Sequence, residues 1–276
     1  MTDRYAVFGN PVEHSKSPQI HAAFARQTGQ DIDFVRVAAP LDGFRASVDA
    51  FRAEGGRGAS VTIPFKFEAY NYADEVSQRA KEARAANWLR FESGHVLADN
   101  TDGVGLVRDI TANLGIAIAE RRVLLMGAGG AAQGVLLPLL EQRPAILSIA
   151  NRTVAKALRL AETCRHHPSS AHTVVSGSSF EELTGRHFDV IINATASSLA
   201  GVPPPLPNGV FAPAAAAYDM MYGKALTPFL EFAREQGVRQ LADGLGMLVE
   251  QAAEAFFLWR GVRPETRAVI EQLRGD

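Results

Sequence analysis

An α/β chain of two domains is what the sequence predicts, and three observations carry that reading. Short apolar runs alternate with helix-patterned stretches over the N-terminal third of the chain. A second alternation of the same kind starts at Arg122. A glycine cluster, Gly127-Ala128-Gly129-Gly130-Ala131-Ala132, directly follows the first apolar run of that second series. Alternating strands and helices are expected of mostly parallel sheets with helices over their faces. A chain of 276 residues has room for two domains of ordinary size, and it can bury enough apolar surface to need no covalent staples.

In chain order, residues 5–8, 34–37 and 59–63 read as strands, and 18–28, 41–53 and 65–84 as the helices that follow them. Runs at 88–91 and 95–98 flank Glu92-Ser93-Gly94, a hairpin composition, which closes a first domain near residue 100. Residues 103–114 read as a helix that begins after Asp102 and stops at Gly115; such a linker leaves a cleft between two sheets. Strands follow at 122–126, 146–150, 173–176, 189–194 and 217–221, with a helix over 131–141. Leu248, Val249, Ala252, Phe256 and Trp259 recur at the spacing of one helical face, so 246–259 is the last helix.

Composition narrows the function class. A formal net charge of -2 offers no basic field for nucleic acid. Cys164 is the single cysteine, which excludes an intrachain disulfide and a paired-cysteine zinc site and fits a reducing compartment. The seven histidines form no ligand pattern, with His14 and His21 reading as polar loop and helix residues, so no metal is expected. Residues 123–140 are uncharged, yet four glycines, Gln133 and Pro138 break them into strand, turn and helix rather than a membrane span. The N-terminus lacks the apolar core of a signal peptide, so the expected setting is cytoplasmic, with a small molecule as partner and neither nucleic acid nor membrane.

The glycine cluster has the context that gives such a motif meaning: a strand before it and a helix after it. The first glycine permits the tight turn, the second lets a pyrophosphate approach the backbone, and a small third residue, here Ala132, lets the helix sit close on the strand. Free amides at the helix start attract phosphate. A Rossmann-like dinucleotide site follows, with Gly127, Ala128, Gly129, Gly130 and Ala131 at its phosphate loop. An NAD site places an acid at the end of the next strand, to bond the ribose 2′-hydroxyl. Here that strand ends in Asn151-Arg152-Thr153, with Lys156 close behind and no acid, a set suited to a 2′-phosphate. NADP is the expected cofactor. Thr153 also reads as a helix N-cap.

Five of the 28 lysines and arginines are lysines: Lys16, Lys66, Lys81, Lys156 and Lys224. Arginine stays protonated in proteins, whereas a lysine amine can give up and regain a proton. Lys66 ends the segment Ser60-Val61-Thr62-Ile63-Pro64-Phe65-Lys66, just past the third strand, and strand C-terminal ends are where open α/β sheets bind ligands. Asp102, in Asn100-Thr101-Asp102-Gly103, is placed to pair with it and to bond a substrate hydroxyl, besides capping the following helix. Ser15 and Ser17 stand in the loop after the first strand. Ser17 before Pro18 reads as an N-cap, and hydroxyls at a helix start can receive a carboxylate.

Seven ordered blocks of the chain, at 9–21, 60–66, 100–105, 127–131, 151–153, 219–229 and 243–256, resemble the shikimate dehydrogenase family. The resemblance implies reversible, NADPH-dependent reduction of 3-dehydroshikimate to shikimate in aromatic amino acid biosynthesis, by a monomer or homodimer. It implies a substrate carboxylate at Ser15 and Ser17, with ring hydroxyls and ketone near Thr62, Lys66, Asn87, Asp102 and Gln251. Tyr222 and Gly244 are implied near substrate and nicotinamide, with Thr195, Met220 and Met247 on the cofactor side. The expected division is a substrate-binding, catalytic domain of 1–101 plus 238–276, and an NADP-binding Rossmann domain of 102–237. Lys66 is expected to be the general acid/base, with Asp102 as partner.

Some positions depart from the family pattern. Ser60 replaces the usual Asn, Trp88 follows Asn87 where threonine is usual, and Ala196-Ser197-Ser198-Leu199 departs from the usual continuation after Asn193-Ala194-Thr195. Rival readings are an NAD-using quinate/shikimate dehydrogenase and a non-catalytic NADP-binding sensor. A methylenetetrahydrofolate dehydrogenase shares the plan, but the Ser15/Ser17 loop suits a small carboxylate better than a folate. Absence of an acid beside Thr153 weighs against the first, and retention of Lys66 and Asp102 against the second.

Overall fold

The computed structural model describes residues 2–92, 94–195 and 201–275, so the Ala196 to Leu199 departure lies outside the described residues. The chain divides into two compact units, Met1–Gly105 with Val249–Asp276, and Leu106–Leu248. The first unit contains β1 (Asp3–Gly9), α1 (Ser17–Thr28), β2 (Ile32–Ala38), α2 (Phe44–Ala53), β3 (Gly56–Val61), α3 (Lys66–Tyr72), β4 (Glu75–Val76), α4 (Gln78–Ala83), β5 (Trp88–Glu92) and β6 (His95–Asp99), and the boundary after Gly105 falls within α5 (Asp102–Arg108). The second contains β7 (Arg122–Met126), α6 (Gly130–Glu141), β8 (Ile146–Ala150), α7 (Val154–Arg165), β9 (Val174–Ser178), β10 (Phe188–Asn193), β11 (Phe211–Asp219), α8 (Pro228–Glu235) and β12 (Gln240–Asp243). Helices α9 (Leu245–Arg260) and α10 (Arg267–Gly275) complete the chain.

The first sheet runs β2-β1-β3-β5-β6-β4. Its β1 is parallel to β2 and β3, while β5 is antiparallel to β3 and to β6, as the hairpin expectation requires. Ala6, Phe8, Ala59, Val61, Leu89 and Ala98 form one core with Phe44, Val48 and Phe51 of α2 and with Phe65, the residue before α3. Trp259 of α9 donates its indole N–H to Leu89 O at 3.0 Å. A Cβ on Gly58 would meet that indole nitrogen at 2.5 Å, so only glycine lets the helix approach there. Trp88, the departure next to Asn87, donates to Ala255 O at 3.1 Å and packs its ring against Trp259.

Three local readings of the first unit need correction. The single helix expected over 65–84 is broken into α3 and α4, because the chain extends at Ala73 (ψ 146°) so that β4 can pair with β6, and Ser77 then caps α4 by accepting from Ala80 N. Lys16, not Ser17, is the N-cap of α1; Ser17 is its first residue, and the Lys16 side chain makes no cap bond. His21, read as a polar helix residue, does lie on α1 but is fully buried, stacked on Phe34 with centroids 4.2 Å apart, because it shares the inner face of α1 with Ile20 and Phe24.

The second sheet is parallel throughout, in the order β12-β11-β10-β7-β8-β9. Numbered within the unit, that is the doubly wound order of dinucleotide-binding sheets, whose switch point lies between β7 and β10. Leu124, Leu125, Met126, Leu147, Ile149, Ile191 and Ile192 are fully buried, consistent with strands covered on both faces. The helix expected over 103–114 is α5 followed by a wide turn, Asp109–Asn113, where Leu114 N bonds back to Asp109 O at 3.0 Å, a π-type step. The return to the first unit falls at Val249, not at residue 238 as expected, because Gln240–Asp243 pair with Ala216 to Asp219 as the edge strand of the second sheet. Among the described residues no helix is long and apolar enough to cross a membrane.

Candidate active site

In the first unit, the end of β3 delivers Lys66. Thr62 N bonds to Phe8 O at 2.9 Å and Phe65 N to Thr62 O at 3.0 Å, turning the chain so that Lys66 opens α3. A Cβ on Gly9 would lie 2.6 Å from the Thr62 methyl, so the end of β1 is glycine where Thr62 crosses it. Lys66 O accepts from Ala86 N at 2.8 Å, which pins the lysine to the segment bearing Asn87.

The Lys66 ammonium donates to Asp102 Oδ2 at 2.5 Å, with the lysine side chain 32% exposed and the aspartate 11%. A part-open ion pair of this kind leaves the amine reachable from solvent while a charge-assisted bond fixes its direction. The other carboxylate oxygen, Asp102 Oδ1, accepts from Asn87 Nδ2 at 2.9 Å. The same amide nitrogen lies 3.0 Å from Thr101 Oγ1 and 3.2 Å from Gln251 Oε1. Asn87 is buried, and its oxygen accepts from Thr101 N at 2.8 Å, which fixes the amide orientation. Lys66, Asn87, Asp102 and Gln251 are thus brought into one hydrogen-bonded constellation. Sequence reasoning missed Thr101 as its fifth member; the residue was in a matched block, but a fully buried threonine leaves no signal in a pattern of polar residues.

Ser15 and Ser17 also come together. Ser15 Oγ donates to Ser17 Oγ at 3.2 Å and accepts from Ser17 N at 3.3 Å. Arg36 on β2 holds the same loop, donating from Nε and Nη2 to Ser15 O at 2.9 and 2.6 Å. Ser60 pairs with Val7 on one side and Trp88 on the other, buried in the sheet.

In the second unit, Gly127 has φ 109°, and an added Cβ would sit 3.0 Å from Ala194 O and 3.3 Å from the Thr195 methyl. Conformation and space both demand glycine there. Gly129 and Gly130 differ: a Cβ on either meets nothing within 4 Å, and Gly129 caps α6 without any side-chain cap, leaving amides of the first turn to an outside acceptor. The loop Gly127-Ala128-Gly129-Gly130-Ala131 therefore fits a pyrophosphate. At the end of β8, Arg152, Thr153 and Lys156 are exposed, and Asn151 Nδ2 donates to Thr153 O at 3.0 Å. Thr153 does occupy the N-cap position of α7, but its side chain makes no cap bond. Two cations without an acid among them fit a 2′-phosphate.

Thr195 is held by Asn193, whose Oδ1 accepts from Thr195 N at 3.1 Å and from its hydroxyl at 2.7 Å. Asn193 Nδ2 in turn donates to Asp219 Oδ1 at 3.2 Å, and Thr227 donates to Asp219 Oδ2 at 2.5 Å. This fully buried carboxylate went unrecognised in the sequence; it organises the strand ends that carry Thr195 and Met220. Met220 N bonds to Asn193 O at 2.9 Å, and Gly244 packs so close that a Cβ there would overlap Met220 O. Met247 is buried in the same unit, and Gly246 leaves room for Asp109, which accepts from Tyr218 Oη at 2.7 Å. Burial pushes the Tyr222 hydroxyl above its ordinary range, with the Asp243 charge adding to the shift.

Comparison with known proteins shows the family. Residues 7–89 match the shikimate dehydrogenase substrate binding domain, 109–203 the shikimate/quinate 5-dehydrogenase model, and 244–274 the shikimate 5'-dehydrogenase C-terminal domain. The NADP(+) shikimate dehydrogenase of Nitrosospira multiformis is 60% identical over 276 residues, 100% of this chain and 98% of the relative. The chain belongs to the shikimate dehydrogenase family. Among solved structures, the Ael1 enzyme from Pseudomonas putida is 53% identical with a TM-score of 0.92, covering 99% of this chain and 98% of that one. The shikimate 5-dehydrogenase of Thermus thermophilus, solved in complex with NADP(H) and shikimate, is 30% identical with a TM-score of 0.87, covering 99% of each chain. In this member of the shikimate dehydrogenase family, Ser60 pairs across the sheet with Trp88, the residue that follows Asn87.

Proposed function

We propose that the chain catalyses the reversible reduction of 3-dehydroshikimate to shikimate with NADPH, the first unit binding the substrate and the second the cofactor. The observation that carries the proposal is the Lys66–Asp102 bond of 2.5 Å, set among Asn87, Thr101 and Gln251. Bound NADPH supplies a hydride. A ketone that accepts hydride becomes an alkoxide and needs one proton to become the alcohol. Lys66 Nζ is the donor of that proton, and in the oxidation direction the neutral amine takes it back. Asp102 holds the ammonium through Oδ2 and accepts a substrate hydroxyl. Asn87 and Gln251 orient the ring hydroxyls, with Thr62 and Tyr222 lining the substrate.

The carboxylate end falls to Ser15 and Ser17. With Ser15 donating to Ser17, the Ser17 hydroxyl proton is left for a carboxylate oxygen. The phosphate loop 127–131 holds the pyrophosphate, Asn151, Arg152, Thr153 and Lys156 the 2′-phosphate side, and Thr195, Met220, Gly244 and Met247 the nicotinamide end. Support for NADP over NAD is the exposed pair Arg152 and Lys156 with no carboxylate at the end of β8. The test is shikimate-dependent formation of NADPH by the purified protein. Turnover that requires both shikimate and NADP+ is expected; none with either omitted, and none with quinate in its place at equal concentration, completes the assignment. Absence of shikimate-dependent turnover would refute it.

A further inference from the structure

We infer that Arg79 is a positioning residue for substrate binding, tying the segment that carries Asp102 to the helix that carries Gln251. The inference rests on the substrate reading of the first unit and adds to it a residue that touches no substrate. Arg79, in α4, donates from Nε to Asp99 Oδ1 at 3.1 Å and from Nη2 to Asp99 Oδ2 at 2.5 Å. Its Nη1 reaches Glu254 Oε1 at 3.2 Å. Both carboxylates are 9% exposed, and one guanidinium serves the two of them. Each sits directly beside the polar constellation in sequence and structure.

Asp99 ends β6, and its Oδ1 also accepts from Asn100 N at 2.7 Å and from the Ser77 hydroxyl. Asn100 Oδ1 then accepts from Asp102 N at 3.1 Å. The backbone that presents Asp102 is therefore anchored through Asp99 to Arg79. On the other side, Glu254 lies three residues beyond Gln251, on the same face of α9. Its second oxygen accepts from Arg263 Nη2. Fixing Glu254 fixes the height and rotation of the turn that aims Gln251 at Asn87, 3.2 Å away. A guanidinium is a planar fork that can satisfy two carboxylates at once, whereas a lysine ammonium is a point donor on a flexible stem. Misplacement of a binding group by a fraction of an ångström is enough to cost rate without costing the fold.

The experiment compares steady-state kinetics and thermal stability of the native protein, Arg79→Lys and Glu254→Gln. Glu254→Gln keeps the side-chain shape and the Arg79–Asp99 bonds and weakens only the helix side, so the inference stays open to test if Arg79→Lys fails to fold. Both variants are expected to lose about tenfold or more in kcat/KM for shikimate, chiefly through KM, with KM for NADP+ within about twofold of native. A lowered melting temperature with native kcat/KM for shikimate in the variants that fold overturns the inference and leaves the network a structural tie only. A native protein inactive on shikimate overturns the activity reading, and this inference with it. Native activity with unaffected variants overturns this inference alone.

Discussion

Lys66 and Asp102 are 36 residues apart in the chain and share a hydrogen bond of 2.5 Å, with Asn87 occupying the other oxygen of the same carboxylate at 2.9 Å. Asp102 is thereby committed on both sides before any substrate arrives: one oxygen aims the amine, the other is held by an amide that also reaches Gln251. Asp102→Asn removes the charge that fixes the ammonium and puts an N–H donor against Lys66 or Asn87. A fall in kcat/KM for shikimate of about 10²-fold or more is expected, with KM for NADP+ unchanged. Steady-state kinetics with each substrate varied in turn checks the split.

Gly129 offers a test of the cofactor loop that does not disturb the fold. Its φ of -94° suits any residue and its Cβ direction is open, so Gly129→Ala should melt within a degree or two of native, about the scatter of a neutral surface change. The added methyl occupies the space proposed for the pyrophosphate, so KM for NADP+ should rise about tenfold or more, a loss of about 1.4 kcal/mol. Unchanged KM would place the pyrophosphate elsewhere.

The proposed NADP site assigns the preference for NADP over NAD to Arg152 and Lys156. The double substitution Arg152→Ala, Lys156→Ala should weaken NADP+ by about 10- to 100-fold, as expected for losing two charge-assisted contacts, and leave NAD+ nearly unaffected. Ionic strength should weaken NADP+ binding to the native protein more than to the variant, because exposed charges are screened. Measured KM values for the two cofactors, at low and high salt, decide it.

How much of this was legible in the sequence follows from where each partner lies. The second sheet could be read because its central strands are uninterrupted apolar runs, and the phosphate loop because strand, glycines and helix are adjacent. Strand β12 was missed since Gln240–Asp243 carry no apolar run and owe their conformation to β11. Helix 65–84 was read as continuous because the break at Ala73 is imposed by pairing with β6, which periodicity does not register. In the site, Lys66, Asp102 and Gln251 were legible because they are polar residues in matched blocks, and Asn87 as the one residue carried over from a segment that otherwise departs from the family pattern. Asp219 and Asp99 were not, since a buried carboxylate differs from a surface one only through partners such as Asn193, Thr227 and Arg79.

His21 makes stability depend on pH in the acid range. Its ring is fully buried among Phe24, Phe34, Phe256 and Trp259, neither nitrogen has a hydrogen-bond partner among the described residues, and burial alone pushes its pKa down to about 3. The folded state thus resists a proton that the unfolded chain accepts near pH 6.5. This stabilisation is complete above that value and is lost as pH falls from about 6.5 towards 3, with a slope approaching about 1.4 kcal/mol per pH unit. His21→Leu, which keeps the site apolar, should flatten the pH dependence of the urea midpoint between neutral pH and about pH 5, and raise stability at neutral pH by removing two unpaired polar atoms. An unchanged slope would assign the acid sensitivity to other groups.

Lys66→Arg isolates the central claim, that Lys66 moves the proton, from its simpler role as a cation facing Asp102. Arginine keeps the positive charge and can still bond the carboxylate, but it does not release its proton in the working pH range. The measurement is kcat for shikimate oxidation by Lys66→Arg under saturating NADP+ and shikimate. A loss of about 10²- to 10⁴-fold, with KM for NADP+ unchanged, is the expected result. Turnover within a few-fold of native would contradict the account and leave Lys66 a charge partner only.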